Sequence, residues 1–159
     1  MSPAFREYLY RPRELRKQAL DAAIQKLQLW GLCTRTSAPS GENGGRGGGD
    51  DGAKDGKLAL LIDANDLCRR LDKELEVTIK EMLAFSKIVE TADTKYAKRD
   101  AAILKLRYVR CRHWDSVFRD LNDRGFKCDT LRTVFKWNRD ALKRIEKIWE
   151  ETNEHTYRE

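Results

Sequence analysis

At 159 residues the chain suffices for one ordinary domain or two small ones. It is 36% charged and only 9% aromatic, a mix that suits long exposed helices and argues against a large enzyme core. No stretch approaches the ~18 uncharged apolar residues of a membrane span, and the opening MSPAFRE has no apolar secretory core. The expectation is a soluble cytoplasmic protein without a membrane partner.

The net charge of +6 is unevenly placed. Lys95 to Trp149 carries 16 Lys and Arg against 7 Asp and Glu, whereas residues 1–94 are neutral and residues 150–159 form an acidic tail. A localised basic field favours a polyanion, and nucleic acid is the commonest one. The four cysteines, Cys33, Cys68, Cys111 and Cys128, form no Cys-x-x-Cys pair. Cys111, His113 and Cys128 have a spacing that fits no compact zinc knuckle, so reduced thiols and no metal or other cofactor are expected.

In chain order, residues 1–33 read as the first helix of a hairpin. Pro12 suits a first helical turn, Leu15, Leu20, Ile24, Leu27 and Trp30 recur at helical spacing, and Gly31 is a stop. If Phe5 to Tyr10 add turns in front, Pro12 must kink the junction. Residues 34–56 hold eight of the ten glycines and nothing that buries apolar surface, which predicts a disordered linker.

Residues 57–92 carry the strongest periodicity. Leu61, Ala64, Cys68, Leu71, Leu75, Thr78, Met82, Phe85 and Val89 alternate three and four apart, a heptad seam. The shorter first helix, running antiparallel, covers it only from Leu61 to about Leu75. The half at Met82, Phe85 and Val89 then needs either the C-terminal domain or a second chain, that is, a homodimer through the 57–92 helix.

Residues 93–149 read as three helices. Asp93-Thr94 offers an N-cap for one with Tyr96, Ala97, Ala101, Ile103, Leu104, Leu106 and Val109 on its apolar face. A short one runs from about Trp114 to Asn122 and is broken by Gly125. Asp129 or Thr130 caps the last, which reaches about Trp149. This order is a helix-turn-helix plan, so the fold class expected is all-α, a long coiled-coil-like hairpin followed by a three-helix domain. The last helix fits the reading role in a DNA major groove. Arg132, Thr133, Lys136, Arg139 and Lys143 lie outward, Thr130 stands at its start, and Arg124 and Lys127 flank the turn where phosphates would pass. The alternative for this basic face is a solvated surface. Trp137 reads as a packing residue.

The stretch LKLRYVRCRHWDSVFRDL followed by TLRTVFKWNRDALKRIEKI resembles region four of bacterial sigma factors. It resembles still more a group of small bacteriophage proteins carrying that motif, the ArpU-type and RinA-type regulators. The matching positions are Leu104, Leu106, Arg107, Tyr108, Trp114, Val117, Leu121, Val134, Ala141, Leu142 and Ile145. The start, REYLYRPRELRKQALDAAIQKLQLW, resembles their first helix. The resemblance implies a phage- or prophage-encoded transcriptional regulator in a bacterial cytoplasm, with double-stranded DNA and RNA polymerase as the partners to test. Two departures stand out. Pro12 interrupts a helix that is usually unbroken, and Asn122–Cys128 replaces a turn of about 3–4 residues. A small terminase subunit and a helical protein-binding adaptor are the alternatives. No catalytic function is expected: the Gly-rich run lacks a preceding strand and a Lys-Ser/Thr end, and the two histidines, His113 and His155, join no Ser/His/Asp set.

Overall fold

The computed structural model describes residues 1–35 and 51–156, and every regular element in them is helical. The elements are α1 (Pro3–Arg35), α2 (Asp51–Thr91), α3 (Ala97–Ile103) continuing into π-helical turns at Leu104–Val109, α4 (Trp114–Asp123) and α5 (Leu131–Thr156). The chain is therefore all-α, a helical pair followed by a three-helix domain. No helix among the described residues is long and apolar enough to cross a membrane.

Several boundaries differ from those expected. Helix α1 starts at Pro3, with Pro12 inside it, rather than at Pro12. Ser2 supplies the reason: its Oγ accepts the Phe5 N–H at 3.4 Å, an N-cap bond, and proline follows in the first helical position. Pro12 has no N–H to donate, so it forfeits a single helical hydrogen bond. Gly31 does not stop the helix, and residues 51–56, assigned to the linker, are already helical. Extending a formed helix fixes one residue per added bond, so glycine at an end is tolerated. The disorder expected of 36–50 lies outside the described residues. At the C-terminus α5 continues past Trp149 through much of the acidic tail.

The chain divides into two compact units, and the division cuts across α1 and α2 rather than falling at residue 92. Unit 1 comprises Met1–Glu14 and Glu76–Glu159. In its core Phe5 and Leu9 of α1 and Met82, Phe85 and Val89 of α2 join Ile103, Leu104, Leu106, Val117, Leu121, Val134, Ala141 and Ile145. Aromatic contacts close this end: Tyr8 meets the Phe85 ring edge-on at 5.7 Å, and Trp149 lies 5.6 Å from Phe5 and 5.9 Å from Tyr8. The half-seam at Met82, Phe85 and Val89 is thus covered by the chain's own first turns and C-terminal helices.

Unit 2, Leu15–Leu75, is the remainder of the α1–α2 pair. Leu15, Ala22 and Leu71 are buried, with Ala19, Leu67, Cys68 and Leu75 packed on them, and Lys26 donates to Asn65 Oδ1 at 2.7 Å. The register is antiparallel. From Leu61 to Val89 no seam position is exposed. The seam is therefore used within the chain. On α1, however, the expected stripe is wrong. Leu15 is buried, whereas Leu20, Ile24, Leu27 and Trp30 face solvent. The face that packs is Leu15, Ala19, Ala22 and Lys26, because small alanines let the two backbones approach closely. Helix α1 carries apolar residues at helical spacing on both sides, and periodicity alone cannot choose between them.

Candidate nucleic-acid interface

The three-helix domain is fixed by hydrophobic and ionic ties within unit 1. Val117 and Leu121 of α4 and Val134, Ala141 and Ile145 of α5 are fully buried beside Ile103, Leu104 and Leu106. Asp100 of α3 is buried and accepts two bonds from Arg144 of α5, from Nε at 2.6 Å and from Nη2 at 2.9 Å. Such a two-pronged pair sets orientation as well as contact. It holds the Arg144 guanidinium above its ordinary range, and Arg144 also lies over the Tyr96 ring at 4.9 Å. Arg99 sits between the rings of Tyr96 and Trp137, at 4.4 and 4.5 Å, so Trp137 serves packing as expected. The expected cap of α3 is not made by Asp93 or Thr94. Tyr96 occupies the N-cap without a side-chain bond, and the Ala97 N–H reaches the Thr94 carbonyl at 3.0 Å.

The long turn between α4 and α5 is ordered by two devices. The Gly125 N–H donates to the Asn122 carbonyl at 2.8 Å and the Phe126 N–H to the Leu121 carbonyl at 3.0 Å. This is the Schellman pattern, and Gly125 at φ +83° supplies the left-handed residue it needs. Beyond it, the Asn122 side chain accepts the Cys128 N–H at 2.9 Å and donates to the carbonyls of Cys128 and Phe118, both at 3.2 Å. Asn122 therefore bridges the extra residues, which neither composition nor periodicity reveals. Thr130 then caps α5: its Oγ1 accepts the Thr133 N–H at 3.3 Å, and the two hydroxyls lie 3.1 Å apart.

These ties decide how α5 presents its residues. Arg132, Lys136, Arg139 and Lys143 are all exposed. They are four, three and four residues apart, so they form one stripe on the side opposite Val134, Ala141 and Ile145. The other expected site residues do not join that stripe. Thr130 and Thr133 are committed to the cap. Lys127 is exposed in the turn. Arg124 closes α4 and stands within reach of Glu90, whose carboxyl is held below its ordinary range mainly by the Lys105 bond at 2.7 Å, with Lys98 and Arg124 adding to it. Arg124 thus belongs with the end of α2.

Two features escaped the sequence reading. Phe135 is half-exposed beside the stripe and meets Trp114 edge-on at 5.1 Å. Arg107 in turn lies over Trp114 at 4.7 Å and donates from Nη1 to the Arg112 carbonyl at 2.8 Å. This stack joins the π-helical turns to α4 and α5. The backbone turns sharply there, with Cys111 at φ +54°. Arg110 and Arg112 are also exposed just before α4. The signal for them was the run Arg110-Cys-Arg-His113 itself. No cluster of His, Cys, Asp and Glu among the described residues has the make-up of a metal site.

Comparison with known protein families, curated proteins and solved structures finds no match to this chain.

Proposed function

We propose that the chain is a double-stranded DNA-binding protein that lays α5 in the major groove. The supporting observation is the uninterrupted basic stripe of Arg132, Lys136, Arg139 and Lys143, turned away from the core on a helix whose start is braced by a neighbouring helix. Arginine forms paired bonds to guanine edges, and lysine neutralises phosphates. The likeness of Leu104–Ile148 to sigma-factor region four and the phage regulators narrows the reading. It points to a sequence-specific transcriptional regulator of phage or prophage origin, with RNA polymerase as a second partner.

Fluorescence anisotropy with duplex DNA tests this. With about five phosphates neutralised, log affinity falls against log salt with a slope of roughly −4 to −5. Arg132→Ala/Lys136→Ala weakens the preferred sequence more than random duplex, whereas Lys127→Ala weakens both alike. Absence of duplex binding at low salt overturns the proposal. A harmless double substitution moves the reading face elsewhere on the domain.

A further inference from the structure

Among the described residues Phe135 is the one large apolar side chain that α5 exposes, at 46%. An isolated exposed apolar residue needs no explanation on an ordinary surface. This one is informative through its neighbours. It stands within the first two turns of α5, three residues after Arg132 and four before Arg139. At about 3.6 residues per turn its direction lies about 40° from Arg139 and about 60° from Arg132, so it borders the basic stripe. In helix-turn-helix docking the early residues of the reading helix are the ones that reach base edges.

The ring is also held in place. Trp114 of α4 meets it with the two planes 80° apart, and the Arg107 guanidinium lies over Trp114. All three side chains belong to unit 1. The contact fixes the direction of Phe135 while nearly half of its surface stays in water.

The major groove offers such a residue one favourable contact. Guanine N7 and O6, adenine N7 and N6 and cytosine N4 all form hydrogen bonds, and a phenyl ring desolvates them without replacing those bonds. Thymine alone adds an apolar group, its C5 methyl. At about 1.5 Å of rise per residue, Phe135 lies ~4.5 Å along the helix axis from Arg132 and ~6 Å from Arg139, or one to two base-pair steps of about 3.4 Å. We infer that Phe135 reads a thymine through its C5 methyl, within about two base pairs of guanines held by Arg132 or Arg139. The inference rests on the proposal that α5 lies in the major groove. It adds an A·T position to the target, which arginines that pair with guanine do not select.

Fluorescence anisotropy of the full chain tests it. The probes are a duplex that the protein selects from a random-sequence pool and versions of it with each thymine in turn replaced by uracil. Uracil keeps every hydrogen-bonding group of thymine and lacks only the methyl. One position is expected to respond, its uracil version binding roughly fourfold more weakly, the effect of burying one methyl group. 5-Bromouracil there, whose halogen is about the size of a methyl group, restores the affinity. Phe135→Ala binds the thymine and uracil versions alike, whereas Arg132→Ala weakens both and keeps their ratio. Phe135→Leu, which leaves an apolar side chain against Trp114, keeps part of the ratio and serves if circular dichroism shows that the alanine loosens the fold. Absence of duplex binding at low salt, or of any enriched sequence, removes the DNA reading and the inference with it. Sequence-selective binding in which no uracil matters, or in which the sensitive thymine stays sensitive in Phe135→Ala, overturns the inference alone and leaves Phe135 a packing partner of Trp114.

Discussion

Units 1 and 2 are made from the same two helices, yet they are stabilised to different depths. In unit 1 the α1–α2 pair is one part of a core that also includes α3, α4 and α5, and Met82 and Phe5 are completely enclosed. In unit 2 the pair buries Leu15, Ala22 and Leu71 and little else among the described residues. Helices gain most of their stability from packing rather than propensity. The same heptad seam is therefore a core in one place and a single line of contact in the other. Local opening follows the number of buried apolar neighbours, so amides of unit 2 are expected to exchange with solvent well before those of unit 1.

The largest expected effect separates the two halves of the seam. Met82→Asp places a carboxylate where no water reaches and should cost more than about 4 kcal/mol, abolishing the thermal transition of unit 1. Leu71→Asp, in the other half of the same seam, should open unit 2 and leave the protection of unit 1 amides in place. Hydrogen exchange with mass spectrometry distinguishes them. Equal global loss from both would show that the units fold as one, and the comparison would fail.

Next in size is the ionic tie inside unit 1. Asp100 faces Arg144 at hydrogen-bonding distance, with Arg99 Nε 3.9 Å away and without a hydrogen bond. Asp100→Ala leaves two partly buried guanidinium groups without their carboxylate. Removing one member of a buried pair costs about 3–5 kcal/mol, discounted here because Arg144 is 28% exposed. The melting temperature should fall by a wide margin, with unit 2 exchange unchanged. A drop no larger than that of a surface substitution would mean that hydrophobic contacts alone fix α3 against α5.

The turn gives a smaller effect. A Cβ at Gly125 meets nothing within 4 Å, so Gly125→Ala tests backbone strain alone. At φ +83° an L side chain costs roughly 1–2 kcal/mol, and urea denaturation should register that amount. If DNA affinity falls further than this stability change explains, the turn also sets the aim of α5.

Legibility in the sequence followed the same division. The α2 seam could be read position by position because its residues alternate three and four apart without a break over four heptads. The outward stripe of α5 was legible for the same reason. Helix α1 was not, because Leu20, Ile24 and Leu27 are a better heptad than the Ala19–Ala22 face that packs. The start at Pro3 was available in Ser2-Pro3, a cap followed by a first-turn proline, but Pro12 offered a competing start. The role of Asn122 depends on Cys128 lying opposite it across the turn, and no linear pattern encodes that contact. The same holds for Asp100 and Arg144, which lie 44 residues apart.

The smallest prediction sharpens the account of unit 2. Lys26 and Asn65 form a half-buried polar contact between its helices, where the α1 face has no apolar side chain to contribute. A hydrogen bond from a charged donor is worth about 1.5–3 kcal/mol when enclosed and much less with water nearby. Asn65→Ala should therefore lower stability by under about 1 kcal/mol. The loss should be confined to faster exchange at amides near residues 22–30 and 61–68. Asn65→Leu, which keeps the volume and removes the polar acceptor, strands the Lys26 ammonium against an apolar neighbour and should be no more stable than the alanine variant. Should Asn65→Leu instead slow exchange across unit 2, the lysine swings to solvent at little cost. In that case apolar burial, rather than the hydrogen bond, limits how tightly α1 and α2 pair.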